Sequence, residues 1–251
     1  MKVLAIMPTY GRLPFLGRAV ASFLSQTHDD KELVIINDDP NVTINCSEKN
    51  VYCINLNKKM LVGEKRNMGV SLGDYDLYMP FDDDDIFMPN RMSNHIKRHV
   101  DNPDVDLYRN KLAYTIYGDQ FHDSPGTING ISFTKRGWLK CSGYTLKSNF
   151  GEDKHFEDSF ENKLVIDVPE ERDYVYNFGG INYHLSNTRD ADLSNLAKTQ
   201  LKKLDLLGKV YNIVPDFEEF NKFIELEKLY KEKGQPIKVK HLSLGKFDII
   251  K

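Results

Sequence analysis

The sequence predicts an α/β fold: a mixed, mostly parallel sheet flanked by helices, followed by a helical C-terminal extension. Three observations carry this. In the N-terminal part, short apolar runs alternate with segments of helical period, the pattern of a parallel sheet with crossover helices. Two acidic clusters, Asp38-Asp39 and Asp82 to Asp85, directly follow such runs, and open parallel sheets bind ligands beyond the carboxyl ends of their strands. Near the C-terminus, Leu193, Leu196, Leu201, Leu204 and Leu207, then Phe217, Phe220, Ile224 and Tyr230, recur at helical spacing.

The elements follow in order. Val3 to Met7 is a buried strand stopped at Pro8, and Thr9-Tyr10-Gly11-Arg12 is a turn. Leu13, Leu16, Val20 and Leu24 mark a helix. Glu32 to Ile36 is a second strand and Val51 to Leu56 a third. Gly63 to Leu72 is a helix, and Asp76 to Phe81 is a strand running into the four aspartates. After Pro89, Met92, Ile96 and Val100 share a helix face. Leu112 to Phe133, rich in Thr, Tyr, Gly and Ile, reads as short mixed strands. Gly151 opens a polar helix reaching about Asn162, further short strands run to Leu185, and Gly234-Gln235-Pro236 links to a final basic segment.

Composition narrows the function classes. With 251 residues, 40% hydrophobic and 28% charged, the chain can bury a sizeable core, and disordered, collagenous and coiled-coil classes are excluded. No apolar run approaches the roughly 18 residues of a membrane span, and Met1 to Pro8 does not read as a signal peptide. Cys46, Cys53 and Cys141 form neither a disulfide framework nor a CxxC metal motif, so a reducing cytoplasm is expected. The net charge of −3 does not favour nucleic acid overall, although Leu196 to Lys251 carries 12 lysines against 8 acids.

Several residues have the chemistry of a site. Consecutive aspartates repel, and a divalent cation with hard oxygen ligands, Mn²⁺ or Mg²⁺, would relieve them; a solvated acidic loop is the plainer reading. Asp38-Asp39 suits a nucleobase N–H or ribose hydroxyls, or an Asx-turn with Pro40. Asp153 suits a general base or simply an acidic helix start. Lys65 and Arg66 suit a diphosphate or an ordinary charged surface. His184 suits a metal or diphosphate contact. His95 and His99 stand four apart on a helix with no third ligand in view. The P-loop, the GxGxxG fingerprint and the GxSxG elbow are all missing.

In order along the chain, these segments resemble family-2 glycosyltransferases of the GT-A (Rossmann-like) fold. Met7-Pro8-Thr9-Tyr10, with the helix ending Phe23-Leu24-Ser25-Gln26-Thr27, looks like their start. Glu32 to Asp39 looks like their second strand with its uracil-contacting aspartate, and Lys65-Arg66-Asn67-Met68-Gly69 like their RN-x-G segment. Asp82 to Asp85, with Ile86 to Pro89, looks like the DxD metal motif. Gly130 to Trp138 with Gly143 resembles the acceptor-side segment, and Gly151-Glu152-Asp153 the ED motif. Pro40 departs from the usual Gly or Asn.

The resemblance covers residues 1–190, with a nucleotide-sugar half to about 110 and an acceptor and catalytic half from 111. It leaves 191–251 as a helical, basic extension. It implies an inverting transfer from a nucleotide-sugar donor, UDP-linked by expectation. Asp39 would hold the base. Pro8, Thr9, Tyr10, Arg12, Lys65, Arg66, Asn67, Asp82 and Asp83 would line the donor. Asp84, with Asp82 and His184, would hold Mn²⁺ or Mg²⁺. Asp153 would be the base, with Glu152 as a lesser candidate or an acceptor ligand. The acceptor would be a surface glycan or glycolipid, or a hydroxymethylated base in viral DNA. A nucleotidyltransferase and a non-catalytic nucleotide-sugar-binding module are the competing classes.

Overall fold

The computed structural model describes residues 1–125, 130–145, 151–177, 198–199, 201–242 and 246–250. The chain opens with β1 (Val3–Thr9), α1 (Leu13–Leu24), β2 (Lys31–Asn37), β3 (Thr43–Cys46), β4 (Val51–Asn55) and α2 (Val62–Ser71). β5 (Leu77–Pro80), β6 (Ile86–Phe87), α3 (Arg91–Asp101), β7 (Leu107–Asn110), β8 (Leu112–Tyr117), β9 (Gln120–Pro125) and β10 (Ile131–Thr134) follow. Then come α4 (Lys135–Lys140), α5 (Glu152–Asp158), β11 (Lys163–Ile166) and β12 (Tyr174–Asn177). The C-terminal part holds β13 (Val210–Ile213), α6 (Phe217–Lys233), β14 (Ile237–His241) and β15 (Phe247–Ile249).

The central sheet has seven strands in the order β11-β7-β10-β5-β1-β2-β4. β1 pairs in parallel with both β2 and β5, and β2 with β4. Only β10 runs antiparallel to its neighbours. Every residue of β1 is buried, the continuous apolar signature of a strand covered on both faces. One face packs Leu16, Val20 and Phe23 of α1 against Ala5, Met7 and Leu33. The other packs Leu4 and Ile6 with Val34, Phe133 and Phe156.

A second sheet, β15-β14-β9-β8-β12-β6, stands beside the first. The C-terminal extension is therefore helical only in part. α6 forms where expected, while β13 pairs with β3 and β14 with β9. Ile237 and Val239 are buried while Lys238 and Lys240 are exposed. That period-two alternation is a strand pattern which the reading as a basic segment passed over. The other helix expected here, over Leu193 to Leu207, lies largely outside the described residues. α5 is also shorter than expected, ending at Asp158.

Two close approaches fix how the layers meet. At Gly69 of α2 a Cβ would stand 2.6 Å from Ile6 Cγ2 on β1. At Gly17 of α1 it would stand 2.8 Å from the Val214 carbonyl, and the Gly17 carbonyl accepts from Asp216 N at 2.9 Å. The first contact lets α2 lie flat on the sheet; the second seats the C-terminal segment on α1. Gly69→Val is expected to destabilise by about 1–3 kcal/mol through overpacking. A thermal melt would show this as a loss of about 2–4 °C per kcal/mol. An unchanged midpoint would show that α2 can lift off β1 freely.

Candidate active site

The site is built where β1, β2 and β5 end side by side, at the point where the strand order reverses across β1. Pro8 and Thr9 close β1, and Arg12 caps α1 just beyond. Asn37, Asp38 and Asp39, all buried, close β2. The Asn37 amide donates to the Val42 carbonyl at 2.8 Å and to Asn55 Oδ1 at 3.0 Å, and its Oδ1 accepts from Asp39 N at 3.1 Å.

Asp38 and Asp39 have different surroundings. Asp38 receives the Lys65 ammonium at 2.6 Å and Met60 N at 2.7 Å. Lys65, also buried, donates to the Thr9 carbonyl at 3.2 Å. Its charge is thus matched inside the protein rather than held out toward a diphosphate. Asp39 Oδ1 accepts from Asn41 N at 3.0 Å and Asn41 Nδ2 at 2.7 Å, an Asx-turn. Its Oδ2 is buried with no hydrogen-bond partner among the described residues. The Asx-turn expected at Asp39-Pro40 forms, closing on Asn41.

The four aspartates after β5 alternate. The side chains of Asp82 and Asp84 are 13% and 14% exposed, and Asp83 is fully buried. Asp85 is buried too and accepts the Tyr174 hydroxyl. Like charges so close need compensation, and cationic side chains provide it. Arg12 reaches Asp83 at 2.6 Å and Asp84 at 2.5 Å, while Arg66 reaches both Asp82 oxygens at 3.0 and 3.1 Å. Arg18 donates to the Asp84 carbonyl at 3.1 Å, and its guanidinium lies over the Phe15 ring at 4.6 Å and the Phe223 ring at 5.7 Å. The acidic loop is thereby tied to α6. Burial pushes the Asp83 carboxyl up, against the pull of Arg12.

The ED pair opens α5 behind Gly151, whose φ of 71° lies in the left-handed region that glycine tolerates. Arg66 Nη1 donates to Asp153 and, at 3.3 Å, to Glu152. One buried guanidinium thus joins acids from the β5 loop and from α5. Burial raises the Asp153 carboxyl to about 7, with Arg66 opposing and Glu152 and Asp82 reinforcing. Asn67, the next residue, clamps both backbone groups of Tyr144: Oδ1 accepts from Tyr144 N at 2.9 Å, and Nδ2 donates to its carbonyl at 3.0 Å.

Of the remaining candidates, Tyr10 lies on the turn after β1 with the Lys59 ammonium 4.9 Å from its ring centroid. His184 lies outside the described residues. His95 and His99 share the Ser132 hydroxyl at 2.8 and 3.0 Å inside the core, and burial lowers His95 to about 4; they are structural. Among the described residues no three His, Cys, Asp or Glu are grouped to hold a metal ion. Sequence reasoning missed Arg18, Tyr144 and Tyr174. Arg18 alone left a trace, as a charged residue inside an apolar helix.

Among solved structures the fold is similar to Staphylococcus aureus TarS 1-349 in complex with UDP-GlcNAc. That match has a TM-score of 0.57 and 12% identity, over 83% of this chain and 68% of that one. A mannosyltransferase, PcManGT of Pyrobaculum calidifontis, in complex with GDP-Man and Mn²⁺, has a TM-score of 0.53 and 13% identity over 73% of this chain and 59% of that one. In sequence, the uncharacterized glycosyltransferase YwdF of Bacillus subtilis is 32% identical over 101 residues, 39% of this chain and 38% of that protein. An uncharacterized glycosyltransferase of Rickettsia typhi is 27% identical over 108 residues, 41% of this chain and 34% of that protein. The chain thus aligns with little more than a third of either relative. The profile of glycosyl transferase family 2 matches residues 4–152, more than half of the chain, from β1 through Arg66 and the Asp82 to Asp85 run to Glu152. The chain belongs to glycosyl transferase family 2.

Proposed function

We propose that the chain transfers a glycosyl group from a nucleotide-sugar donor, UDP-linked, to a hydroxyl of a glycan or glycolipid acceptor, with inversion. The observation that carries this reading is the convergence of Asp82, Glu152 and Asp153 on one buried guanidinium beside the carboxyl ends of β1, β2 and β5. The fold neighbours were solved with UDP-GlcNAc and with GDP-Man and Mn²⁺, which supports the donor class. The buried acceptor atom Asp39 Oδ2 suits a nucleobase N–H.

The residues fit a divalent cation as a partial set. Asp82 and Asp84, two apart and both reaching the surface, offer hard oxygens, whereas Asp83 and Asp85 point inward. His184 and the donor diphosphate are the further ligands of this proposal. When bound, Mn²⁺ or Mg²⁺ supplies charge stabilisation to the departing diphosphate.

Asp153 acts as the base. Its carboxylate takes the proton from the acceptor hydroxyl while the hydroxyl oxygen bonds to the anomeric carbon. The bond from that carbon to the diphosphate oxygen breaks, and its electron pair leaves with the nucleoside diphosphate. A single displacement inverts the anomeric configuration. Arg66 holds Asp153 and Glu152 in place, and Glu152 is positioned for an acceptor hydroxyl.

Asp153→Asn is expected to cut transfer by about 10²–10⁴-fold, the range for general-base loss. Sugar-nucleotide affinity, read by calorimetry, should stay within about twofold. Persistent transfer would remove Asp153 from the role. The pH profile gives a second test, because Asp153 works only when ionised. On the acid limb, kcat/KM should fall about tenfold per pH unit below about 7, and a flat profile from pH 5 to 8 would contradict this. The stability effect has the opposite sense: a carboxyl raised from 3.8 to about 7 binds more protons folded than unfolded. Its contribution is therefore full below pH 3.8 and is lost as pH rises through 7. Asp153→Asn should flatten that slope in chemical denaturation.

The donor class is tested by thermal stabilisation with UDP- and GDP-sugars, Mn²⁺ present or chelated. At 100 times Kd the gain is about 2.7 kcal/mol, or roughly 5–10 °C. No shift with any of them would overturn the reading.

A further inference from the structure

Tyr144 is a buried tyrosine whose hydroxyl meets no hydrogen-bond partner among the described residues. The residue is 2% exposed. A buried tyrosine O–H usually finds one. Its position is not accidental slack. The ring stacks on Phe156 with centroids 3.8 Å apart at 15°, and Asn67 clamps its backbone on both sides. The Arg66 guanidinium lies over the ring at 5.1 Å, and Arg66 Nε is itself buried without a hydrogen-bond partner among the described residues. Burial pushes the Tyr144 phenol up, against the pull of Arg66, and the charges of Asp153, Asp82 and Glu152 add to this. It therefore stays protonated and able to donate.

Two unmatched donors, an N–H and an O–H, thus belong to side chains that pack on each other, the guanidinium over the phenol ring, and Arg66 also holds Asp153 and Asp82. A sugar hydroxyl matches them, because its oxygen accepts from a donor while its own proton goes to a carboxylate. We propose that Tyr144 Oη and Arg66 Nε form a subsite for a hydroxyl of the transferred sugar, which makes Tyr144 a donor-sugar binding residue. This rests on the nucleotide-sugar reading of the site.

Tyr144→Phe removes one oxygen and keeps the ring stack. The test is calorimetric titration of wild type and variant with UDP, UDP-GlcNAc, UDP-glucose, GDP and GDP-mannose, each with Mn²⁺, beside thermal melts of the ligand-free proteins. The probe is the sugar nucleotide that gains most over its own nucleotide in the wild type. The variant is expected to bind the nucleotide alone within twofold of wild type and to bind the probe about 5–10-fold more weakly, the worth of one neutral hydrogen bond. Its ligand-free melting point should match or exceed that of the wild type, because an unmatched buried polar group is gone. An unchanged probe affinity with a lowered melting point would overturn the proposal and assign the hydroxyl to a structural water. Equal losses for nucleotide and probe would overturn it too, since the hydroxyl would then shape the whole pocket. A wild type that binds the nucleotide but gains nothing from any sugar would also refute the subsite. A wild type that binds no nucleotide at all would instead refute the parent reading of the site.

Discussion

The geometry of the site depends on one buried guanidinium. Arg66 is 2% exposed and shared among Asp82, Glu152 and Asp153. Three carboxylates drawn together away from water repel one another and lose hydration. Arginine suits the task because its planar fork donates in several directions and keeps its charge when buried. The pull is mutual: the three acids hold the guanidinium charged, and it holds Asp153 below where burial alone would put it. Removing one member of such a set costs about 3–5 kcal/mol, since the others are left uncompensated. A lysine would preserve the charge and lose the fork.

Arg66 reaches this position through backbone placement. α2 starts where Glu64 accepts from Leu61 N at 2.7 Å, and it lies against β1 at Gly69. Arg66 and Asn67 then face the strand ends, one toward the acids and the other toward the Tyr144 backbone. The glycine, the arginine and the asparagine of the RN-x-G segment thus have separate physical duties, and the spacing between them is set by the helix turn. Arg12 and Arg18 do comparable work from α1. Arg18 adds a link from the Asp84 carbonyl to Phe223, so the C-terminal helix bears on the acidic loop.

Much of this was legible in the sequence. The buried strands β1 and β2 and helices α1 to α3 announced themselves because long apolar runs and helical spacing are read locally. β3, β6 and β13 were not visible. They are two to four residues long, and their pairing partners lie far along the chain, so no local period marks them. At the site, Asp39, Arg66, Asp82, Asp84, Glu152 and Asp153 were named through the family resemblance, and the structure brings them to one end of the sheet. Which of the four consecutive aspartates face outward could not be read, because a turn has no fixed period. Lys65 looked like a free cation in sequence, and only the fold pairs it with Asp38. Tyr144 gave no signal, since its neighbours Arg66 and Asn67 are distant in the chain.

The alternation in the Asp82 to Asp85 loop separates two roles that the sequence merges. Asp83 and Asp85 are buried against Arg12 and Tyr174, and they hold the loop to α1 and β12. Asp82 and Asp84 reach the surface and share arginines with the rest of the site. An inward acid replaced by asparagine leaves a buried arginine or phenol poorly matched, so the loss falls on folding. An outward acid so replaced also loosens an arginine: Asp82 belongs to the buried Arg66 set, and Asp84 shares Arg12 with Asp83. Four identical residues in a row therefore divide into an inward pair and an outward pair, and the division is made by the direction of each side chain from one short turn.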